Sequence, residues 1–200
     1  MARPRKVPNV PATRERVQQA ARGVFARVGF AGATLGEIAR EVGIRRPSLL
    51  HHFATKDALY REVVAGAFGE LGAALGAALE HEGDTRARLE ALARAFGGFV
   101  EAQPEVARLV LREVLADGGP GQAILLEQAA PLLDGVVAFV EAHGLERLAA
   151  GVSARGALMA VVSDALLRAA AGPLRGPLWG PPLPDLTWAT ARALLWTEAP

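Results

Sequence analysis

The chain has 200 residues, of which 51% are hydrophobic and none is cysteine. This length fits one compact unit or two small domains that share a core. The lack of cysteine excludes disulfides, thiolate metal sites and cysteine nucleophiles, and it suits a reducing cytoplasm. The N-terminus lacks the apolar stretch of a signal peptide and no apolar run reaches about 18 residues without a charge, so we expect a soluble cytoplasmic protein without a membrane span.

Charge is distributed unevenly along the chain, although its net value is only +1. Residues 1–60 hold eleven Lys and Arg against four Asp and Glu, whereas residues 61–200 hold eleven against seventeen. A basic front part is the electrostatic pattern expected when only that part meets DNA. Its first segment carries Arg3, Arg5 and Lys6 among prolines, and is either a disordered solubilising tail or an arm that follows phosphates or enters the minor groove.

The first long helix is predicted over about residues 13–28, where apolar side chains recur at helical spacing. Gly29 is expected to end this helix, and Phe30 to fill the core of a small three-helix unit. The apolar face consists of Val17, Ala20, Ala21, Val24, Phe25 and Val28.

Residues 34–60 predict two short helices joined by a glycine turn and followed by the start of a longer helix. Thr34 is a suitable N-cap, and Glu37 three residues later completes a capping box. Gly43 is the expected stop, because glycine adopts the left-handed conformation without strain. The chain re-enters helix around Pro47, which is tolerated since first-turn amides have no helical partner. This is the plan of a helix-turn-helix, whose second helix enters the major groove of DNA.

The second of these short helices has a polar face that suits DNA. Leu49 and Phe53 are predicted to face the core, and the polar side chains project away from them. These polar residues are Arg45, Arg46, Ser48, His51 and His52. A helix in the major groove needs donors for phosphates and base edges, and arginine is the commonest reader of guanine. The alternative is an ordinary solvated face, which any small helical protein has.

The rest of the sequence is predicted to be helical, with no convincing β-alternation. Thr55 is expected to cap a fourth helix that runs to about Glu82, long enough to join a DNA-reading head to a second domain. Residues 172–184, GPLRGPLWGPPLP, are expected to form a rigid connection. Further helices are predicted over about residues 85–102, 104–116, 122–143, 153–171 and 185–196.

Residues 14–60 resemble the TetR family of transcriptional regulators. The family's first helix and its entry to the second are similar to the segment RERVQQAARGVFARVGFAGATLGEIAREVGI. The family's recognition helix, its His-Phe pair and the Lys that begins helix four are similar to the segment PSLLHHFATKDAL. The resemblance implies an all-α fold. An N-terminal three-helix helix-turn-helix head (residues 1–54, with 1–12 as a basic arm) is joined by a long helix to a helical effector-binding and dimerisation domain (residues 55–200).

DNA contacts are expected from the polar helix face and from the resemblance together. Arg46 is the best candidate for a guanine contact, and Lys56 is expected to contact the phosphate backbone. The full set of expected DNA-binding residues is Thr34, Arg45, Arg46, Pro47, Ser48, Leu50, His51, His52 and Lys56.

Three positions of the helix-turn-helix depart from the family pattern. Leu50 stands where the family usually has a tyrosine that touches a phosphate, and leucine cannot donate that hydrogen bond, although it can contact a thymine methyl group. Arg45 stands where a Ser or Thr usually caps the recognition helix. Gly36 stands where some members carry a base-reading arginine. These departures are expected to change which bases are read more than whether DNA is bound.

A pocket for a small molecule is expected in the second domain. In the TetR family a small effector binds among helices four to seven, so the resemblance implies an apolar ligand with one or two polar handles. The alternative is a well-packed helical core without a ligand. The expected pocket residues are Phe68, Phe96, Phe99, Leu109, Arg112 and Gln128.

The last two helices are expected to form a homodimer interface, because they are too apolar for a lone surface pair. Two such helices from each subunit would form a four-helix bundle, as they do in the family. Ordinary packing within the subunit is the alternative. The apolar residues concerned are Val161, Val162, Leu166, Leu167, Leu186, Trp188, Ala189, Leu194, Leu195 and Trp196.

No catalytic constellation or phosphate-binding glycine loop stands out, so we expect neither an enzyme nor a cofactor or metal. The interpretation is a homodimeric regulator that binds double-stranded DNA at a palindromic operator, most simply a repressor released by a small apolar effector. The alternatives are an effector-independent regulator, and a helical ligand-binding or enzymatic protein with a vestigial DNA head.

Overall fold

A computed structural model describes residues 13–143, 152–181, 183 and 185–195, which form helices and short turns without a strand. The all-α prediction is confirmed. The basic arm (residues 1–12) and Trp196 lie outside the described residues. The helices are α1 (Thr13–Gly32), α2 (Leu35–Val42), α3 (Arg46–His52), α4 (Lys56–Leu79), α5 (Thr85–Ala102), α6 (Pro104–Val114), α7 (Pro120–Ala142), α8 (Ala154–Ala170), α9 (Arg175–Trp179) and α10 (Leu186–Leu195), with a 3-10 turn (Gly172–Leu174) before α9.

The ends of the two short helices are fixed by local hydrogen bonds. The Thr34 hydroxyl accepts a bond from the Glu37 amide at 3.1 Å and so caps α2. Gly43 ends α2 in the left-handed region, with φ at 77°, as glycine does most readily. The predicted capping box is only half formed, because the Glu37 carboxylate pairs with Arg27 at 3.1 Å.

The first helix continues past its expected end through a kink. Gly29 has a φ of 73° and a ψ of 176°, and helix resumes beyond it to Gly32. A side chain at Gly29 would place its Cβ 2.9 Å from Cδ of Arg112, so both the backbone angle and the close approach of α6 require glycine there. The kink directs Phe30 inward, where its ring lies 5.0 Å from that of Tyr60.

One hydrophobic core joins the helix-turn-helix head to the rest of the molecule. Its head side chains, including Phe25, Ile38 and Leu49, are fully buried. Leu109 of α6 and Ile124 of α7 belong to the same cluster. The head is therefore packed directly against α6 and α7, and it is continuous with α4. Because these contacts are close-packed, a displacement of α4, α6 or α7 shifts the head as well.

The second domain packs α4, α5, α7, α8 and α10 around a second core and a cavity. Residues 172–184, expected to be a rigid connection, include the helix α9. Two polar contacts fix α9 in place: Trp179 Nε1 donates to Asp164 at 3.1 Å, and Arg175 pairs with Glu101 at 2.8 Å.

Two helices, α4 and α7, are long and apolar enough to cross a membrane when judged by length and composition alone. Each has acidic residues along its length, such as Glu70 on α4 and Asp134 on α7. Apolar side chains from both helices line the cavity between them, including Leu71, Leu75 and Leu133. The walls of this cavity therefore account for much of their apolar composition.

Candidate DNA-binding surface and effector cavity

The α3 helix presents its polar residues to solvent and its apolar residues to the core, as predicted. Leu49 and Phe53 are buried, because the short helix packs them against α1 and α4. The opposite face is exposed at Arg45, Arg46, Pro47, Ser48 and His51, and His52 is half-buried. A face of this kind can donate to phosphates and base edges without competition from the protein interior.

Leu50 and Thr34 lie at the border of this face. Leu50 is 39% exposed, which leaves its methyl groups free for an apolar contact. Thr34 is exposed, but its hydroxyl oxygen already accepts the α2 capping bond, and its hydroxyl proton remains available. Arg45 occupies the N-cap position of α3 without a side-chain capping bond, so its guanidinium is not used to hold the helix.

Cations elsewhere in the head are engaged in holding it together. Arg14 donates to the His52 carbonyl at 2.9 Å and lies 4.4 Å from the centre of the Phe53 ring. Arg16 donates to the Val42 carbonyl at 2.9 Å, which satisfies the C-terminal end of α2. By contrast, Arg45 and Arg46 make no hydrogen bond or ion pair with any described residue, so their full charge faces solvent.

Lys56 differs from its expected role as a phosphate contact. Its ammonium donates to the carbonyls of Phe30 at 2.8 Å, Ala33 at 3.1 Å and Ala31 at 3.4 Å. It also lies 4.5 Å from the centre of the Phe30 ring. A lysine has three N–H donors, and all three are used on the turn between α1 and α2. In this structure Lys56 therefore fastens α4 to the head and has no donor left for DNA.

A cavity of about 470 Å³ lies inside the second domain, walled by α4 to α8 and α10. Phe68, Phe96 and Phe99 line it, as the sequence predicts. Its remaining walls are almost entirely Leu, Val and Ala, with Glu113, Gln122 and Ser163 as the polar lining residues. This volume and lining are typical of sites for apolar small molecules.

Three of the expected pocket residues do not line this cavity, and those predictions were wrong. Leu109 is buried in the core shared with the head. Arg112 is exposed and lies against Gly29, beside a separate cleft between α1 and the α6–α7 turn. Gln128 does not line the cavity either, since neighbouring positions of α7 face it instead. Helical periodicity located the right helices but not the rotation of α6 and α7 about their axes.

Among the described residues, the charged side chain that lines the cavity is Glu113, near the C-terminal end of α6. It is 5% exposed and its carboxylate accepts a hydrogen bond from the Phe30 amide at 3.1 Å. The Tyr60 hydroxyl is also buried near this carboxylate but forms no hydrogen bond. Burial, and secondarily the nearby Glu113 charge, raises the pKa of Tyr60, so its hydroxyl stays protonated. Glu113 therefore connects the cavity wall to the kink of α1. The sequence signal for it was a glutamate set among Val110, Leu111 and Val114 near the end of α6.

The helix-turn-helix region matches a known family. Residues 18–63 match the family described as bacterial regulatory proteins, tetR family. The helix-turn-helix region of the chain is therefore that of the TetR family. A TetR-family relative, the transcriptional activator FasR of Mycolicibacterium smegmatis, is 35% identical over 91 residues, which are 46% of this chain and 42% of FasR. The chain thus matches less than half the length of that relative.

Solved structures extend the likeness to the whole fold. The fatty acid degradation regulator FadR of Bacillus halodurans superposes with a TM-score of 0.72 at 15% identity, covering 96% of this chain and 97% of that one. FadR of Bacillus subtilis, solved in complex with stearoyl-CoA, gives a TM-score of 0.70 at 12% identity, covering 91% and 97%. The TetR architecture therefore includes the second domain, where sequence motifs are absent.

The apolar residues that we expected at a TetR-type dimer interface differ in their exposure: Leu167 and Ala189 are exposed, and Val162, Leu186 and Leu194 are half-buried. Val161, Leu166, Trp188 and Leu195 are buried within the subunit, so for them internal packing is the correct account. The opposite face of α8 is exposed and uncharged. It consists of Gly156, Met159, Ala160, Ser163 and Leu167.

Proposed function

We propose that this transcriptional regulator binds an operator as a homodimer, and that a small apolar molecule in the cavity controls its affinity for DNA. The observation that carries the proposal is the position of α4. Its first residue, Lys56, is bonded to the head, and Phe68, Leu71 and Leu75 further along it line the cavity. One rigid helix thus connects the wall that a ligand would touch to the unit that would touch DNA.

The DNA-binding part of the proposal rests on the exposed face of α3. Arg46 would read a base edge, and Ser48 and His51 lie beside it on the same face. Arg45 and Thr34 would contact phosphates, with Pro47, Leu50 and His52 at the edge of the contact. A dimer would place two such helices in successive major grooves of a near-palindromic site, about one helical turn apart.

The dimer itself would form through the exposed uncharged face of α8. Small and apolar side chains there, such as Gly156 and Met159, allow close approach of a second helix. We expect both subunits to use the same face, as a two-fold symmetric interface requires.

The ligand part of the proposal is release of the operator. A ligand shifts an equilibrium only by its differential affinity for the two states. It would stabilise an arrangement of α4 and α6 in which the two heads no longer match successive grooves. The simplest outcome is a cytoplasmic repressor that is induced by its ligand. FasR is named an activator. A ligand that raises the affinity for the operator, and does not lower it, would give regulation in the opposite direction.

The test combines footprinting of the region upstream of the gene with a ligand titration on cavity variants. Ala129 lines the cavity on α7, so Ala129→Phe should abolish the ligand response and leave operator affinity within about twofold. Ala123→Phe, on the exposed side of the same helix, is the matched control and should respond as wild type.

Thermodynamic linkage supplies an internal check, since operator DNA must weaken ligand binding by the same factor that ligand weakens DNA binding. Uniform affinity for all DNA sequences would overturn the operator proposal. Equal ligand affinity with and without operator would show an effector-independent regulator.

A further inference from the structure

The cavity of the second domain opens to solvent where its lining residues are exposed. Val114 at the end of α6 is 62% exposed, Leu126 on α7 is 65% exposed and Met159 on α8 is 40% exposed, although all three line the cavity. Ser163, one turn after Met159 on α8, also lines the cavity and is exposed. We call the opening framed by these four residues the mouth. A ligand held by one subunit alone keeps part of its surface in water there.

The mouth adjoins the exposed uncharged face of α8. Met159 and Ser163 belong to both surfaces. The other members of the α8 face, Gly156, Ala160 and Leu167, lie three or four residues from these two and are therefore their neighbours on the helix surface. A molecule that covers the α8 face consequently reaches the mouth as well.

The occupant that suits this face is a second copy of the chain. A two-fold interface places the same patch against itself, so a charged face would meet its own charge, which is costly. The nearby ionic groups are already neutralised, since Arg155 pairs with Asp134 of α7 and Asp164 pairs with the buried Arg168 at 2.9 Å. The uncharged face between them can therefore dock on itself without repulsion.

The shape of the face favours the same occupant. Gly156 and Ala160 carry little or no side chain, and the side chains at a contact determine how closely two helices approach. Met159 and Leu167 are the larger apolar residues of the face, and both are exposed in the single subunit. Docking removes them from water, which favours association.

We propose that the partner subunit closes the mouth, so that the cavity is complete only in the dimer and ligand binding and dimerisation strengthen one another. The α8 face of the partner would cover the mouth at Met159 and Ser163. This inference rests on the proposed function, which has the ligand in the cavity and the dimer contact at α8. It adds that the partner supplies the missing wall, and that a bound ligand leaves only when this contact opens.

Thermodynamic linkage gives the expected size of the coupling. Removing about 55 Å² of apolar ligand surface from water at the mouth corresponds to about tenfold tighter binding at each site. A dimer has two such sites and each monomer has one. Saturating ligand must therefore lower the dissociation constant of the dimer by about 100-fold, the square of the effect at one site.

The experiment uses the full chain without DNA and the probe N-phenyl-1-naphthylamine, a neutral apolar molecule whose fluorescence rises in apolar surroundings. Sedimentation equilibrium measures the dimer dissociation constant with and without saturating probe, and fluorescence titration measures probe affinity above and below that protein concentration. We expect the two changes calculated above. Equal probe affinity in monomer and dimer would show that one subunit closes the cavity by itself. That result, a protein that stays monomeric, or no binding of the probe would overturn the inference.

Ala160→Arg is the decisive variant, because Ala160 is exposed on the α8 face and does not line the cavity. Two arginines facing each other across the two-fold axis should make the chain monomeric, with probe affinity about tenfold below that of the wild-type dimer and faster probe release in stopped flow. Ala138→Arg adds the same charge on the exposed side of α7 and should remain dimeric with wild-type affinity.

Two results with Ala160→Arg would overturn the inference: a variant that remains dimeric, and a monomer that binds the probe as tightly as the wild-type dimer. If the wild-type dimer does not dissociate at measurable concentrations, the comparison of Ala160→Arg with Ala138→Arg decides. If Ala160→Arg does not fold, the wild-type dilution series decides.

Failure of this inference is distinguishable from failure of the proposed function. A dimer that binds an operator and responds to a ligand, but whose ligand affinity is independent of dimerisation, would keep the proposed function and overturn the closed mouth. Coupling between the probe and dimerisation in a protein without an operator would do the reverse.

Discussion

The backbone amide of Phe30, at the kink of α1, donates a hydrogen bond to the Glu113 carboxylate of α6 across 3.1 Å. The same glutamate lines the cavity, so one side chain touches both the DNA-binding head and the ligand space.

We expect Gly121→Ala to break this contact. The added Cβ would lie 2.2 Å from Oε2 of Glu113, and the flexible carboxylate must move away, which leaves the buried Phe30 amide without its acceptor. Gly135→Ala on the same helix meets no atom within 4 Å and should stabilise the protein by up to about 1 kcal/mol. Gly121→Ala should be less stable than Gly135→Ala by about 1–2 kcal/mol in urea unfolding. Faster hydrogen exchange at the Phe30 amide is the direct readout, and equal protection in the two variants would contradict the argument.

Arg46→Ala should weaken operator binding and relax its sequence preference. Arg46 is exposed and makes no contact within the described residues, so its loss costs the protein no internal interaction. A bidentate contact to guanine is worth about 1–3 kcal/mol of discrimination. Selection from a randomised site should therefore show reduced preference at one symmetric position per half-site. Arg61→Ala on α4, which removes an exposed pair with Glu127 of α7, is the control and should select the wild-type sequence. An unchanged preference in Arg46→Ala would assign Arg46 to a phosphate or to solvent.

The helix-turn-helix was predictable because its signals are local. Thr34, Gly43 and Thr55 act within four residues of the helix ends that they define, and the structure has each of them in its expected place. The cavity was only partly predictable, because which side of α6 and α7 faces inward depends on packing between distant helices. Arg112 and Gln128 were therefore misplaced by an error of rotation, not of helix assignment.

Lys56 shows a second limit of sequence reasoning. A lysine at the start of a helix beside a basic surface suggests a phosphate contact, and the resemblance to the family supports it. The kinked end of α1 brings three backbone carbonyls within reach of the ammonium instead. No local pattern shows this, since the kink depends on the close approach of Arg112 to Gly29.

Lys56→Ala should consequently behave as a stability mutation. Removing an ammonium that holds three partly buried or exposed carbonyls should lower the free energy of unfolding by about 1–3 kcal/mol, while the slope of log binding constant against log salt concentration stays unchanged. Arg45→Ala is the complementary variant. It should change the free energy of unfolding little, and it should reduce the slope of log binding constant against log salt concentration by about one. Denaturant unfolding and operator titration at several salt concentrations measure both quantities. A reduced salt slope in Lys56→Ala would restore its role as a phosphate contact.

Arg168 should be the most sensitive charged residue of the second domain. Its side chain is only 4% exposed, and it donates to Asp164 at 2.9 Å and to the Thr187 hydroxyl at 3.0 Å. The bond to Thr187 joins α8 to α10, and Asp164, which lies on α8 itself, also accepts from Trp179 of the connecting segment. Arg168→Met keeps much of the packing but leaves Asp164 without its cation, so the free energy of unfolding should fall by about 2–3 kcal/mol.

The control for Arg168 is Arg94→Met, which breaks exposed pairs with Glu90 and Asp185. Exposed pairs contribute less than about 1 kcal/mol each, because water and salt screen them. Equilibrium unfolding in urea compares the two variants directly. If Arg168→Met is no less stable than Arg94→Met, apolar packing alone holds α8 against α10. A larger loss in Arg168→Met, with both variants measured at the same protein concentration, attributes the difference to the buried network around Arg168.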